Sequence, residues 1–130
     1  MGIGGMMALE EILKEMASHI PGIASIYLVS EEGLLMSHYS PSEPPFDPEE
    51  ISAELAGVMA DFQKAAERAN MGKTIDVLFT TSQASFLLRA LGDGSCFVGV
   101  SMKLPAGQNI GIARWVLKRY SDKLWEAMPK

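Results

Sequence analysis

Four stretches of this chain are apolar without alternation: Ile26-Tyr27-Leu28-Val29, Val77-Leu78-Phe79, Phe86-Leu87-Leu88 and Phe97-Val98-Gly99-Val100. A strand with one wet face alternates polar and apolar residues. A continuous run needs burial on both faces. The chain must therefore build a sheet and cover it on both sides.

The cover is legible as amphipathic helices. Residues 7–18 place Leu9, Ile12, Leu13 and Met16 at helical spacing, and Pro21-Gly22 ends that helix. Ile23–Ser30 and Leu34–Tyr39 read as two strands joined by Glu31-Glu32-Gly33, a hairpin. The proline-rich stretch 40–48 is a loop that ends in a helix start. Asp47 stands at the N-cap, Pro48 at the first helical position and Glu50 where a capping box needs it. The second helix is expected to run to about Met71, with Ile51, Leu55, Val58, Phe62, Ala65 and Ala69 inward. Three strands follow, Lys73–Thr81, Ala84–Leu91 and Ser95–Met102, joined by Ser82-Gln83 and by Gly92-Asp93-Gly94. Pro105-Ala106-Gly107 breaks the chain. Residues 108–127 then form a closing helix with Ile110, Ala113, Leu117, Tyr120 and Leu124 on one face.

The order α-β-β-α-β-β-β-α with tight turns predicts a mainly antiparallel sheet in an α/β sandwich of the α+β type. The first and third helices are expected on one side and the second on the other. At 130 residues, 48% hydrophobic and 21% charged, residues 1–130 read as one domain, with 1–6 as a flexible start.

Composition removes several functions. A net charge of −5 argues against nucleic acid as a partner, because phosphate binding needs clustered Lys and Arg. No apolar run reaches the roughly 20 residues of a membrane span. The start lacks the charged region of a signal peptide, and the one cysteine, Cys96, has no internal disulfide partner; both point to the cytoplasm. Gly72-Lys73-Thr74 mimics the end of a phosphate-binding loop, but Glu67 stands where the first glycine belongs. The order is also reversed, helix before strand rather than strand before helix. Neither His19 nor His38 has a ligand-like spacing to another donor, so no metal site is expected. Alternation puts Cys96 with Val98, Val100 and Met102 on a buried face, where a thiol is inert. No catalytic residue, cofactor or metal is expected, and the chain does not read as an enzyme.

Two features read as interaction surfaces. Opposite its expected core face, the second helix carries Ala53, Ala56, Gly57 and Ala60, with Glu54, Asp61 and Lys64 beside them. A solvated face is usually charged, and small residues let another backbone approach. The segment 73–81 is long, has no proline and little charge, so at a sheet edge it would leave N–H and C=O groups unpaired. Pairing with the same strand of a second copy, through Ile75, Val77 and Phe79, removes that hazard.

In "IPGIASIYLVSEEGLLMSHY" at 20–39, the apolar strand trio, and "QNIGIARWVLKR" at 108–119, the sequence resembles the Roadblock domain family, in its prokaryotic MglB-like branch. Asn109, Gly111 and Arg114 match the family's N-x-G-x-x-R opening of the last helix. The resemblance implies a five-stranded antiparallel sheet, order 2-1-5-4-3, with the third strand at an edge. It implies a homodimer through that edge and a small Ras-like GTPase as partner. The paired second helices are then the docking face, and the chain serves as a scaffold or as a regulator, the latter including stimulation of hydrolysis without a catalytic residue of its own. The alternative is a PAS- or GAF-like small-ligand sensor, which needs a cavity with convergent polar groups. A hydrolase using Lys73 and Thr74 is a third reading.

Overall fold

A computed structural model describes residues 2–44, 46–103 and 109–129, with side chains from residue 8 onward. Its elements are α1 (Gly2–Ser18), β1 (Ile23–Ser30), β2 (Leu35–Tyr39), α2 (Pro48–Arg68), β3 (Asp76–Thr80), β4 (Ala84–Leu91), β5 (Cys96–Lys103) and α3 (Ile110–Ala127). The five strands form one sheet in the order β2-β1-β5-β4-β3, every neighbouring pair antiparallel. Fold class, element order and strand order match those expected. Residues 2–6, expected as a flexible lead, are helical. Pro105-Ala106-Gly107, expected to break the chain before α3, lie outside the described residues.

The runs of β1, β4 and β5 are buried on both faces, with Phe86 half-buried, whereas in the β3 run only Val77 is buried, Phe79 is half-buried and Leu78 is exposed, as an edge strand allows. In β5, Cys96, Val98, Val100 and Met102 meet α1 and α3, while Phe97 turns the other way to meet α2. The larger core layer gathers Leu9, Leu13, Met16, Ile26, Leu28, Leu87, Val116 and Leu117 under the two-helix side. The smaller layer holds Tyr27, Val29, Leu55, Ala56, Leu88 and Phe97 under α2 alone. One helix therefore covers the face opposite two. Gly99 sits at the centre of that face, and a Cβ there would lie 2.5 Å from the Tyr27 ring. The missing side chain is what admits the tyrosine. Burial pushes the Tyr27 phenol well above its usual range. Beside it Ser25 and Ser101 satisfy each other through a buried hydroxyl pair at 2.8 Å.

Polar ties fix the helices. Asp47 Oδ1 accepts from the Glu49 N–H and caps α2, as its place before Pro48 implies. The far end closes through Asn70 at φ 58, with the Met71 N–H bonded to the Ala66 carbonyl and the Asn70 N–H to that of Glu67. That is a Schellman stop with Asn in the left-handed position. The residues of the Asn109/Gly111/Arg114 pattern do distinct jobs. The Asn109 amide donates to the Pro21 carbonyl at 3.0 Å, anchoring α3 to the turn after α1. Arg114 pairs with Asp76 at 3.1 Å, anchoring α3 to β3. Gly111 is exposed and touches nothing at its vacant Cβ position.

Candidate interaction surface on α2 and β3

The second helix is rotated from the expected orientation. Its buried residues are Ser52, Leu55 and Ala56, with Met59, Gln63 and Ala66 half-buried along the same stripe. Ile51, Leu55, Val58, Phe62, Ala65 and Ala69 were expected inward. Of these only Leu55 is buried; Ile51 and Val58 are half-buried, and Phe62 is 51% exposed. At roughly 100° per residue the larger apolar stripe therefore points sideways along the sheet rather than into it.

Local chemistry explains the rotation. Ser52 can be buried because its hydroxyl donates to the Pro48 carbonyl at 2.6 Å. Gln63 turns inward because its carboxamide oxygen accepts the Thr74 N–H at 2.8 Å. Ala56 is small enough to bring the helix close to Tyr27 and Phe97. The β1–β2 turn also seats there: the vacant Cβ position of Gly33, at φ 93, lies 3.0 Å from the Ala53 Cα.

The small-residue surface is corrected accordingly. Ala53, Glu54, Gly57, Ala60, Asp61 and Lys64 are exposed, but Ala56 is buried and does not belong to the outer face. Gly57 has open space at its Cβ position. Gly57→Ala should therefore raise stability by about 1 kcal/mol, the usual mid-helix cost of glycine, read as a higher urea midpoint.

β3 closes the strand order, so its outer edge has no strand partner among the described residues. Ile75, Val77 and Phe79 share the α2 side. Ile75 precedes the strand proper and is 64% exposed; Val77 is buried; Phe79 is half-buried, stacked on Phe86 at 4.9 Å between ring centroids. Their backbones face inward. The Ala90 N–H bonds to the Ile75 carbonyl, and the register continues through Val77 opposite Leu88 and Phe79 opposite Phe86. In an antiparallel ladder the alternate residues point the other way. The groups facing the open edge belong to Asp76, Leu78 and Thr80. The segment expected at the sheet edge does end the strand order, but the amides of Ile75, Val77 and Phe79 face β4, because apolar side chains and outward amides fall on alternate residues.

The Gly72-Lys73-Thr74 stretch leaves a helix and enters a strand, with the Thr74 N–H already taken by Gln63. It offers no helix N-terminus to a phosphate. Among the described residues no three His, Cys, Asp or Glu side chains cluster as metal ligands, and no helix is long and apolar enough to cross a membrane.

A profile of the Roadblock/LC7 domain matches residues 8–101. The chain belongs to the Roadblock/LC7 family. Solved structures agree on the fold. MglB, a gliding protein of Thermus thermophilus, superposes with a TM-score of 0.83 at 16% identity over 95% of this chain and 90% of that one. Myxococcus xanthus MglB gives 0.80 at 16% identity over 96% and 93%. A Roadblock/LC7 domain from Streptomyces avermitilis gives 0.71 at 17% over 89% and 97%. No curated protein matches the chain by sequence. At such identities the likeness establishes this Roadblock architecture and leaves partners to the surface itself.

Proposed function

We propose that this Roadblock chain is a homodimeric regulator or scaffold for a small Ras-like GTPase, acting in the cytoplasm. The observation that carries the reading is the coincidence of two unfinished surfaces. The outer edge of β3 has no partner among the described residues, and on the α2 side of the sheet Phe62 of α2 and Ile75 before β3 are both largely exposed. A two-fold axis at that edge extends the sheet into a second copy and lets the apolar flanks of the two α2 helices cover each other. Burying Phe62 and Ile75 would contribute about 1.5–3 kcal/mol each before association costs.

Pairing along that flank leaves the exposed ridge of α2 outward, with Ala53, Glu54, Gly57, Ala60, Asp61 and Lys64. This ridge, doubled by symmetry, is the docking face in our reading. The chain contributes no nucleophile, base or metal, so any stimulation of hydrolysis works by positioning the partner's own groups. Arg68 lies on the exposed ridge at the end of α2, where a solvated cation is expected, and we assign it no part in hydrolysis.

The test is mass in solution followed by co-purification with Ras-like GTPases from the same genome, each loaded with GDP and with a GTP analogue. A dimer that captures one nucleotide state supports the proposal. A monomer at high concentration removes it. Gly57→Arg places a long cation at an exposed position with open space, so capture should fall at least tenfold while the circular dichroism spectrum holds. Unchanged capture would take α2 out of the contact.

A further inference from the structure

Two surface features complement each other, the first of them sharing Ile75, Ala60 and Lys64 with the surfaces already described. The first is a half-open cleft of about 980 Å³ on the α2 side, at the end of the sheet where the β1–β2 and β4–β5 turns meet α2. Met59, Ala60, Ile75 and Phe97 supply apolar lining. Glu31, Glu32 and Asp93, all exposed, stand at its mouth. Its size is at the upper end of what binding clefts show, roughly 300–1,000 Å³.

The second feature is a ridge on α3. Ile112, Trp115 and Arg119 follow one another at helical spacing, and Trp115 is 58% exposed. The Arg119 guanidinium lies 5.4 Å above the Trp115 ring. Lys118 is exposed beside it, whereas Arg114 and Lys123 are committed to Asp76 and Glu15. An exposed tryptophan carrying a stacked arginine has the composition of a binding hot spot.

We propose that the cleft receives the α3 ridge of a second copy of this chain, with Trp115 as the knob and Arg119 and Lys118 facing Glu31, Glu32 and Asp93. The signs match: a cationic apolar knob enters an apolar hollow with an acidic mouth. The ridge also carries two exposed acids, Asp122 and Glu126, and the cleft wall carries Lys64 and Lys73 to face them under the same logic. A molecule cannot fill its own cleft, because cleft and ridge lie on opposite faces of the sheet. The contact is therefore head-to-tail, and repeated it stacks molecules face on face rather than closing a pair. It uses side chains rather than the open amides of β3, although Ile75 borders both, and it does not depend on a GTPase partner. Since Ala60 and Lys64 belong both to the cleft and to the α2 ridge, stacking and docking there would exclude each other.

Sedimentation velocity of the full chain, from low micromolar to near-millimolar concentration, tests the contact. Species larger than the smallest unit should appear as concentration rises and recede with salt. Trp115→Ala should weaken the stacking about thirtyfold or more. Glu31→Lys with Glu32→Lys should weaken it about tenfold, and adding Lys118→Glu with Arg119→Glu should restore it. All these positions are on the surface, so circular dichroism should not change. Stacking that survives Trp115→Ala, or reversed charges that fail to rescue, would overturn the proposal. So would a chain that never exceeds its smallest unit. If a short Arg-Trp-Arg peptide then shifts the amide signals of the cleft, the cleft serves a foreign basic segment instead.

Discussion

Gly99→Ala should lower the urea midpoint markedly, by about 2 kcal/mol of stability, and Gly99→Val should leave little folded protein at physiological temperature. The added Cβ would stand 2.5 Å from Tyr27 Cε2 and 2.8 Å from Leu88 Cδ2. Both side chains are fully buried, so neither can swing away. Overpacking of this kind costs about 1–3 kcal/mol, and the two further methyl groups of valine add to it. Against this, alanine recovers roughly 0.4–1 kcal/mol by restricting the unfolded chain, which the clash outweighs. A domain of this size has only about 5–15 kcal/mol to lose. Tyr27→Leu in the Gly99→Ala background should recover part of the loss, because it vacates the space beside Cε2. A Gly99→Ala protein as stable as wild type would mean that the tyrosine ring does not lie over that glycine.

Leu78→Pro should separate the proposed dimer into folded monomers, while Val77→Pro should unfold the chain. The two residues are adjacent, and the difference is the direction of one N–H. Val77 lies opposite Leu88 in the bonded register, so proline there breaks the β3–β4 ladder and buries its ring in the α2-side layer. The N–H of Leu78 faces the open edge, where proline is tolerated within one chain and obstructs a second. Sedimentation equilibrium gives the mass and circular dichroism the fold. If Leu78→Pro keeps the wild-type mass, the β3 edge is not where copies meet. If Val77→Pro stays folded and Leu78→Pro does not, the register is shifted by one residue.

Helix α2 shows where sequence reading stops. Its cap at Asp47 followed from the chemistry of three neighbouring residues, and the structure places that cap there. Its rotation did not. Hydrophobicity favours turning Phe62 inward over Ser52. The outcome is the reverse because Ser52 is satisfied by Pro48, Gln63 by Thr74, and Ala56 permits close packing. Each partner is found by folding geometry, not by periodicity. The helix stop, expected at about Met71, is local: Asn70 takes the left-handed position, and the Asn70 and Met71 N–H groups bond to the Glu67 and Ala66 carbonyls.

The sequence by itself determined a sheet buried on both faces, the order of its elements, the helices that cover it and the absence of a phosphate loop at Gly72-Lys73-Thr74. These are encoded within a few residues of each other, as runs, caps and turns. Only the tertiary structure decided which stripe of α2 meets the sheet, which amides of β3 face outward, and that an acidic cleft and a basic tryptophan ridge stand on opposite faces. Those outcomes depend on groups far apart in the chain, whose distances exist only once five strands and three helices have packed.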